Sequence, residues 1–240
     1  MKLIVVTGAT KGLGLAITEQ SIIDGFKVVA IGRTPSIEFE TLLAKYSSQL
    51  VFEKFDFIHT DEIHHFAINL VKKHGRPWGL INNAALGHDG VLATLHEREI
   101  AALIKVNIEA PILLTKYLLR PMLLNRSGRI INISSIIAKT GFSGLSVYAA
   151  TKAAMSGFTR SLSREVGKAQ ITVNTVEPGY METNMTSGLQ GDKLESIKRR
   201  SPLRQLASTE DVANAVSYLL SKGATNVTGT TITVDAGSTA

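Results

Sequence analysis

Apolar positions recur along this chain in two alternating patterns. Continuously apolar runs rich in Val and Ile occur at Leu3–Thr7, Val28–Ile31, Leu50–Phe55, Gly79–Asn82, Arg129–Ser134, Ile171–Val176 and Thr230–Val234. Their length and β-branched content predict strands buried on both faces. Longer stretches with helical spacing of apolar residues lie between them, at Leu13–Asp24, Asp61–His74, Ile104–Leu124, Val147–Gly167 and Thr209–Ser221. Strands alternating with helices predict a doubly wound α/β fold, a Rossmann-like parallel sheet of about seven strands with helices on both faces. In such a sheet, ligands gather at the carboxyl ends of the strands.

Composition narrows the picture. No Gly/Ser-rich linker, repeat or charge block interrupts the 240 residues, so one domain spanning 1–240 is expected. The chain has no cysteine, which excludes a disulfide framework, a thiolate nucleophile and a Cys-ligated metal. The histidines, His59, His64, His65, His74, His88 and His96, fall in no ligand spacing, so no metal is expected. Met1–Val6 is too short for a signal or a membrane span, which makes the cytosol the expected location, with no membrane partner. A formal charge of +6 favours an anionic partner. With no stripe of cations interleaved with aromatics, nucleic acid is not the expected one.

The first predicted strand runs into Thr7-Gly8-Ala9-Thr10-Lys11-Gly12-Leu13-Gly14 and then a helix. A strand, a glycine-rich turn and a helix N-terminus together form an anion cradle, because free amides and the positive dipole end point at one spot. Gly8 would turn the chain, Gly12 would let the backbone approach a pyrophosphate, and Gly14 would let the helix pack closely. The second strand ends at Gly32-Arg33, where NAD-preferring folds place an acidic residue against the ribose. Arg33 and Lys11 would instead pair with a 2′-phosphate.

A second group of residues carries reaction chemistry. Tyr148 and Lys152 are four apart near the start of a long helix and so share a face. A neighbouring ammonium favours the phenolate and is expected to bring the tyrosine pKa toward the working range. Ser135 lies thirteen residues before Tyr148, at the carboxyl end of an apolar strand. From there its hydroxyl can hydrogen-bond a carbonyl oxygen. Ser134 beside it reads as a turn residue. Asn82-Asn83-Ala84-Ala85 closes the fourth strand, and Asn107 interrupts an apolar helix.

TGxxxGxG, NNAA, Asn107, Ser135, YxxxK, Pro178-Gly179 and Thr183 follow one another in the order of the short-chain dehydrogenase/reductase family, which the chain resembles from Leu3 to Gly237. The resemblance implies a catalytic tetrad of Asn107, Ser135, Tyr148 and Lys152. In it Tyr148 protonates the nascent alkoxide, Ser135 polarises the carbonyl, Lys152 tunes the tyrosine and binds the nicotinamide ribose, and Asn107 anchors a relay water. It also implies NADP(H) contacts from Gly8, Thr10, Lys11, Gly12, Leu13, Gly14, Arg33, Asp56, Phe57, Asn83, Ala84, Tyr148, Lys152, Pro178, Gly179 and Thr183. Ala85 and Ala236 stand where the family usually has glycine, and neither change removes a catalytic atom.

Gly128–Glu182, Ser201-Pro202-Leu203 and the closing TGTTITVDAG most resemble 3-oxoacyl-(acyl-carrier-protein) reductases. That resemblance implies NADPH-dependent reduction of a carrier-bound 3-oxoacyl chain by a homotetramer. A ketone or sugar reductase or alcohol dehydrogenase acting on a free small molecule is the alternative, and a silent NADP-binding regulator is a reading of another class. From Thr183 to about Arg200 a mobile substrate lid is expected. Arg126, with Lys168 beside Ala169, is expected to lie beside the active-site mouth as a docking patch for an acidic carrier.

Overall fold

Seven strands, each running parallel to its neighbours, form one sheet: β1 (Leu3–Thr7), β2 (Lys27–Gly32), β3 (Leu50–Lys54), β4 (Gly79–Asn82), β5 (Gly128–Ile133), β6 (Ile171–Pro178) and β7 (Thr231–Val234). The computed structural model describes residues 1–181 and 192–240, without the side chains of 192–194. The strand order is β3-β2-β1-β4-β5-β6-β7. Chain direction across the sheet reverses between β1 and β4, which opens a crevice at their carboxyl ends.

Every residue of β1, β4, β5 and β6 is buried, because helices cover both faces. On one side α1 (Gly12–Ile23), α2 (Ile37–Lys45) and α9 (Thr209–Leu220) enclose a core around Ile4, Val6, Ile17, Phe39, Ile81, Ile131 and Leu219. On the other, α3 (Ile63–His74), α5 (Ala110–Asn125) and α7 (Ser146–Val166) enclose Val5, Ile31, Leu80, Leu114, Leu118, Ile130 and Val173. Among the described residues, no helix is long and apolar enough to cross a membrane.

The structure departs from the predicted elements in three places. The expected helix Ile104–Leu124 instead follows a separate helix, α4 (Glu97–Ile104), and is itself divided into a π-helical turn (Lys105–Glu109) and α5. Pro111 accounts for the break: it has no N–H to donate to the carbonyl of Asn107, four residues earlier, so the α ladder cannot pass through unchanged. The helix α2 had no strong periodic signal, since only Phe39 and Leu42 are buried, and the Ser36 hydroxyl starts it by accepting from Phe39 N at 3.2 Å. Of the lid expected from Thr183 to about Arg200, residues 183–191 lie outside the described residues, and Asp192–Arg200 forms a helix, α8, that no apolar periodicity announced.

Beneath the crevice a buried chain of polar side chains joins three strands to two helices. Asn82 Nδ2 donates to Asn132 Oδ1 at 2.8 Å and to Thr115 Oγ1 at 3.0 Å. Asn132 Nδ2 donates to Thr159 Oγ1 at 2.8 Å, and Thr175 Oγ1 donates to the same hydroxyl at 2.8 Å. Within a hydrophobic layer such a chain fixes one register, because any slip leaves buried polar groups unpaired. Asn132→Ala should therefore cost about 2–4 kcal/mol in urea unfolding, since it orphans groups on both sides. A loss below about 1 kcal/mol would show that the chain does not constrain the sheet.

Candidate active site

The glycine turn after β1 is held from below by β4. Asn83 Nδ2 donates to the carbonyls of Thr7 at 2.9 Å and Gly8 at 3.2 Å, while the amides of Asn83 and Ala84 both donate to Thr7 Oγ1 at 2.9 Å. Gly8 has φ +62°, and a Cβ there would sit 2.9 Å from Ala84 Cα. A Cβ on Gly14 would collide with the Gly8 carbonyl and with Asn83 Nδ2. No other residue fits this turn, so Asn83 and Ala84 act here as its clamp.

The turn suits an anionic group. Lys11, at the N-cap of α1, makes no side-chain capping hydrogen bond, and the first turn carries no acid, so the leading amides have no side-chain competitor. Lys11, Gly12 and Arg33 are exposed, whereas Thr10 and Leu13 are buried beneath them. Ala9 N donates to Ile31 O at 3.1 Å, which holds the ends of β1 and β2 together and places both cations over the same edge. Asp56 lies half-buried beyond β3, its Oδ1 accepting from Ile58 N at 3.1 Å. The Phe57 ring packs edge-on against Phe55 inside the core, so only its backbone can face a ligand. Together these residues fit a dinucleotide with an extra phosphate.

At the carboxyl end of β5 the two serines separate in role. Ser134 is buried, not a turn residue: its Oγ donates to Lys152 O at 2.8 Å and its amide donates to Val176 O. Ser135 is only partly buried, with its Oγ accepting from Ile137 N at 3.3 Å, and its hydroxyl proton can still be donated. The half-buried Tyr148 and the buried Lys152 project from the adjacent first turns of α7. Lys152 Nζ stands 5.6 Å from the Tyr148 ring centroid and donates to Ile133 O at 3.0 Å.

Burial shifts the two groups in opposite directions. Desolvation pushes the Tyr148 phenol up to about 12, with the Asp89 carboxylate adding to the rise. Desolvation also draws Lys152 down to about 8. The expected lowering of the tyrosine is therefore not found in the protein alone: the loss of solvation outweighs an ammonium that is itself easily neutralised. Held in its protonated form, Tyr148 is a proton donor.

Asn107 lies in the π-helical turn with its side chain fully engaged. Oδ1 accepts from Leu86 N at 2.7 Å, and Nδ2 donates to Leu86 O at 2.9 Å and Thr151 Oγ1 at 3.1 Å. Thr151 in turn donates to Tyr148 O at 2.7 Å. The side chain thus ties the 86 loop to the helix bearing Tyr148.

Pro178 and Gly179 border the same crevice. Pro178 O accepts from Ile136 N at 3.0 Å, and Gly179 N donates to Val234 O at 2.8 Å. Thr183 lies outside the described residues. Arg126 is misplaced by the sequence reading. It forms the C-cap of α5, before β5 begins, and its Nη2 donates to Lys168 O at 2.9 Å. Arg126 and Lys168 therefore sit at the amino ends of β5 and β6, roughly 20 Å along the strand from Ser135 of the same chain. They do not flank this chain's own site.

One group near the site escaped the sequence reading. Glu177, wholly buried on β6, accepts from Ser156 Oγ at 3.2 Å. Its Oε2 lies 2.7 Å from Lys139 Nζ, an ion pair at an angle outside hydrogen-bond geometry. Lys139 belongs to the short helix α6 (Ile137–Thr140), directly after Ser135, and Ser156 lies one turn past Lys152. The carboxylate thus ties the Ser135 segment to the Tyr148 helix. The one charged residue within the buried strand β6 was the available signal.

The chain is similar to known proteins over nearly its whole length. Residues 8–239 match the family profile described as enoyl-(acyl carrier protein) reductase. The chain is 36% identical to the 3-oxoacyl-(acyl-carrier-protein) reductase of Pseudomonas aeruginosa, covering 98% of this chain and 96% of that protein. It is 35% identical to nodulation protein G of a Rhizobium species, over 97% and 94% of the two chains. A double mutant of a short-chain dehydrogenase/reductase from Serratia marcescens superposes with a TM-score of 0.92 at 26% identity, covering 100% of this chain and 98% of that one. A short-chain dehydrogenase from Burkholderia cenocepacia, solved in complex with NADP, gives 0.90 at 27% identity, again over 100% and 98%.

The Glu177 tie has a measurable consequence. Lys139→Met strands a buried carboxylate and should cost about 1–3 kcal/mol in denaturant unfolding, less than for a fully buried pair because the Lys139 side chain is 58% exposed. Lys139→Met/Glu177→Gln should recover most of that loss. Equal stabilities of wild type and the single variant would contradict the tie.

Proposed function

The chain belongs to the short-chain dehydrogenase/reductase family, and from that premise we propose that it is a cytosolic, single-domain NADPH-dependent reductase of 3-oxoacyl chains carried on acyl carrier protein. The observation that carries the reading is the anchoring of Lys152 on Ile133 O and on Ser134 Oγ, which holds the first turns of α7, with Tyr148, against the end of β5 from which Ser135 extends. The relatives named as 3-oxoacyl-(acyl-carrier-protein) reductases and the neighbour bound to NADP support the substrate and the cofactor.

A bound nicotinamide would supply the hydride. Amides of the turn from Gly8 to Gly14 would receive the pyrophosphate, and Lys11 and Arg33 the 2′-phosphate. The Asp56–Phe57 backbone and the Asn83–Ala84 clamp would border the adenosine side, and Pro178 and Gly179, with Thr183 assigned from the family resemblance alone, would hold the carboxamide. Ser135 donates a hydrogen bond to the substrate carbonyl oxygen, and Tyr148 gives its proton to the same oxygen as charge develops there. Lys152 holds the nicotinamide ribose and supports the phenolate left behind, while the Asn107 carbonyl anchors the water that returns the proton.

Assembly as a homotetramer fits the outer face of α7, where the small residues Ala149, Ala150, Ala153, Ala154 and Gly157 are not buried in the single chain. Small side chains let a second helix approach closely.

The reading is tested by NADPH oxidation with an acetoacetyl thioester, a crotonyl thioester and a panel of simple ketones. Turnover of the acetoacetyl thioester above the others is expected. Preference for the crotonyl thioester would replace carbonyl reduction with enoyl reduction, and preference for free ketones would remove the carrier-bound substrate. Tyr148→Phe should lower kcat by at least about a thousandfold while NADPH binding stays within about threefold. Retention of more than about a tenth of kcat would refute the proton-donor role. Removing Lys11 and Arg33 together should raise KM for NADPH at least about tenfold and leave NADH nearly unchanged. Equal losses with both cofactors would contradict the 2′-phosphate assignment.

A further inference from the structure

At the amino ends of the strands, far from Ser135 and Tyr148, two cations lie over the sole tryptophan of the chain, and Lys222 is linked to one of them because its carbonyl accepts at 2.7 Å from the Thr225 hydroxyl that Arg129 reaches. Lys2 Nζ lies 3.7 Å from the Trp78 ring centroid, and the Arg129 guanidinium carbon lies 5.3 Å from it. Trp78 is held in place by Phe26, stacked at 5.6 Å, and by its Nε1 donating to Ser127 Oγ at 2.9 Å. Among the described residues, Lys2, Arg129 and Lys222 take part in no salt bridge.

Arg129 is buried and poorly satisfied. Nη1 donates to Gly128 O at 3.0 Å, Nη2 reaches Thr225 Oγ1 only at 3.5 Å, and Nε has no acceptor. Thr172, its register partner on β6, has a buried hydroxyl that is also unpaired. A buried guanidinium ordinarily has a carboxylate, and here an indole face offers only part of that compensation. Burial, with the charges of Arg129 and Lys222, also holds the Lys2 ammonium below its ordinary range, as expected for cations grouped without a counterion.

We propose that Lys2 and Arg129, over Trp78 at the amino ends of β1, β4 and β5, together with Lys222 behind Thr225, bind an oxyanion, either a phosphate or a carboxylate. The exposed lysines meet the anion from solvent, and the guanidinium behind them supplies N–H groups that the protein leaves without full partners. Phosphate could be free in solution, whereas a carboxylate could come from a small acid or an acidic side chain of another protein. Arg129 lies six residues before Ser135 along β5, roughly 20 Å away, so the site is separate from the reductase chemistry.

Trp78 is the sole tryptophan of the chain, so its emission reports this site directly. The cofactor-free protein would be titrated at pH 7 with phosphate and with acetate, each against potassium chloride at equal ionic strength. A saturable emission change with phosphate alone assigns a phosphate site, and saturation with both assigns a site that also accepts carboxylates. Lys2→Met/Lys222→Met replaces only exposed side chains and should raise the half-saturating concentration at least about fivefold, with NADPH oxidation unchanged. Arg129→Lys, which keeps the charge but loses the fork, should also weaken binding. If neither anion exceeds the chloride response, or if the double variant titrates like wild type, the site does not exist.

Discussion

An ammonium surrounded by protein is costly to bury, and Lys152 is buried to 5% exposure. Its burial is tolerated because the surrounding backbone is arranged to receive it. Ile133 O, the last carbonyl of β5, accepts from Nζ, and Ser134 Oγ holds the Lys152 carbonyl one step further along. These contacts lock the first turns of α7 onto the end of β5, which fixes Tyr148 beside Ser135. Asn107, through Thr151, and Glu177, through Ser156, brace the same helix from two other elements. The same enclosure draws Lys152 down to about 8. The burial that builds the site therefore also makes its charge responsive to what is bound beside it.

Much of this was legible in the chain because it rests on local patterns. Continuously apolar strands, helical periodicity, the glycine spacing and the four-residue step from Tyr148 to Lys152 are properties of neighbouring residues. What the sequence could not reveal depends on contacts between distant elements. Asn107 was readable as a polar residue in an apolar helix, but its hold on Leu86 and Thr151 follows from a π-helical turn beside Pro111. Glu177 was overlooked because its partners, Lys139 and Ser156, come from two separate helices. The tyrosine shift was anticipated in the wrong direction because a four-residue spacing conveys proximity of charge and not loss of solvent.

Charge shows the same limit. The net +6 is a property of the whole chain, but its effect depends on which end of the sheet each cation occupies. Lys11 and Arg33 lie at the carboxyl ends, beside the glycine turn. Arg126, Lys168, Lys2, Arg129 and Lys222 lie at or near the amino ends. In a parallel sheet every strand points the same way, so a residue just before a strand and one just after it fall on opposite poles. Counting back nine residues from Ser135 to Arg126 crosses the whole molecule.

The central claim is that Lys152 is a buried lysine whose ammonium is held by Ile133 O and whose charge is modulated by its burial. Site-selective NMR of the Lys152 side chain, followed through a pH titration of the cofactor-free protein, tests it most directly. A midpoint near 8 is predicted. A midpoint at or above the ordinary value of about 10.4 would contradict the account, because it would mean that the ammonium is solvated and that β5 and α7 do not enclose it.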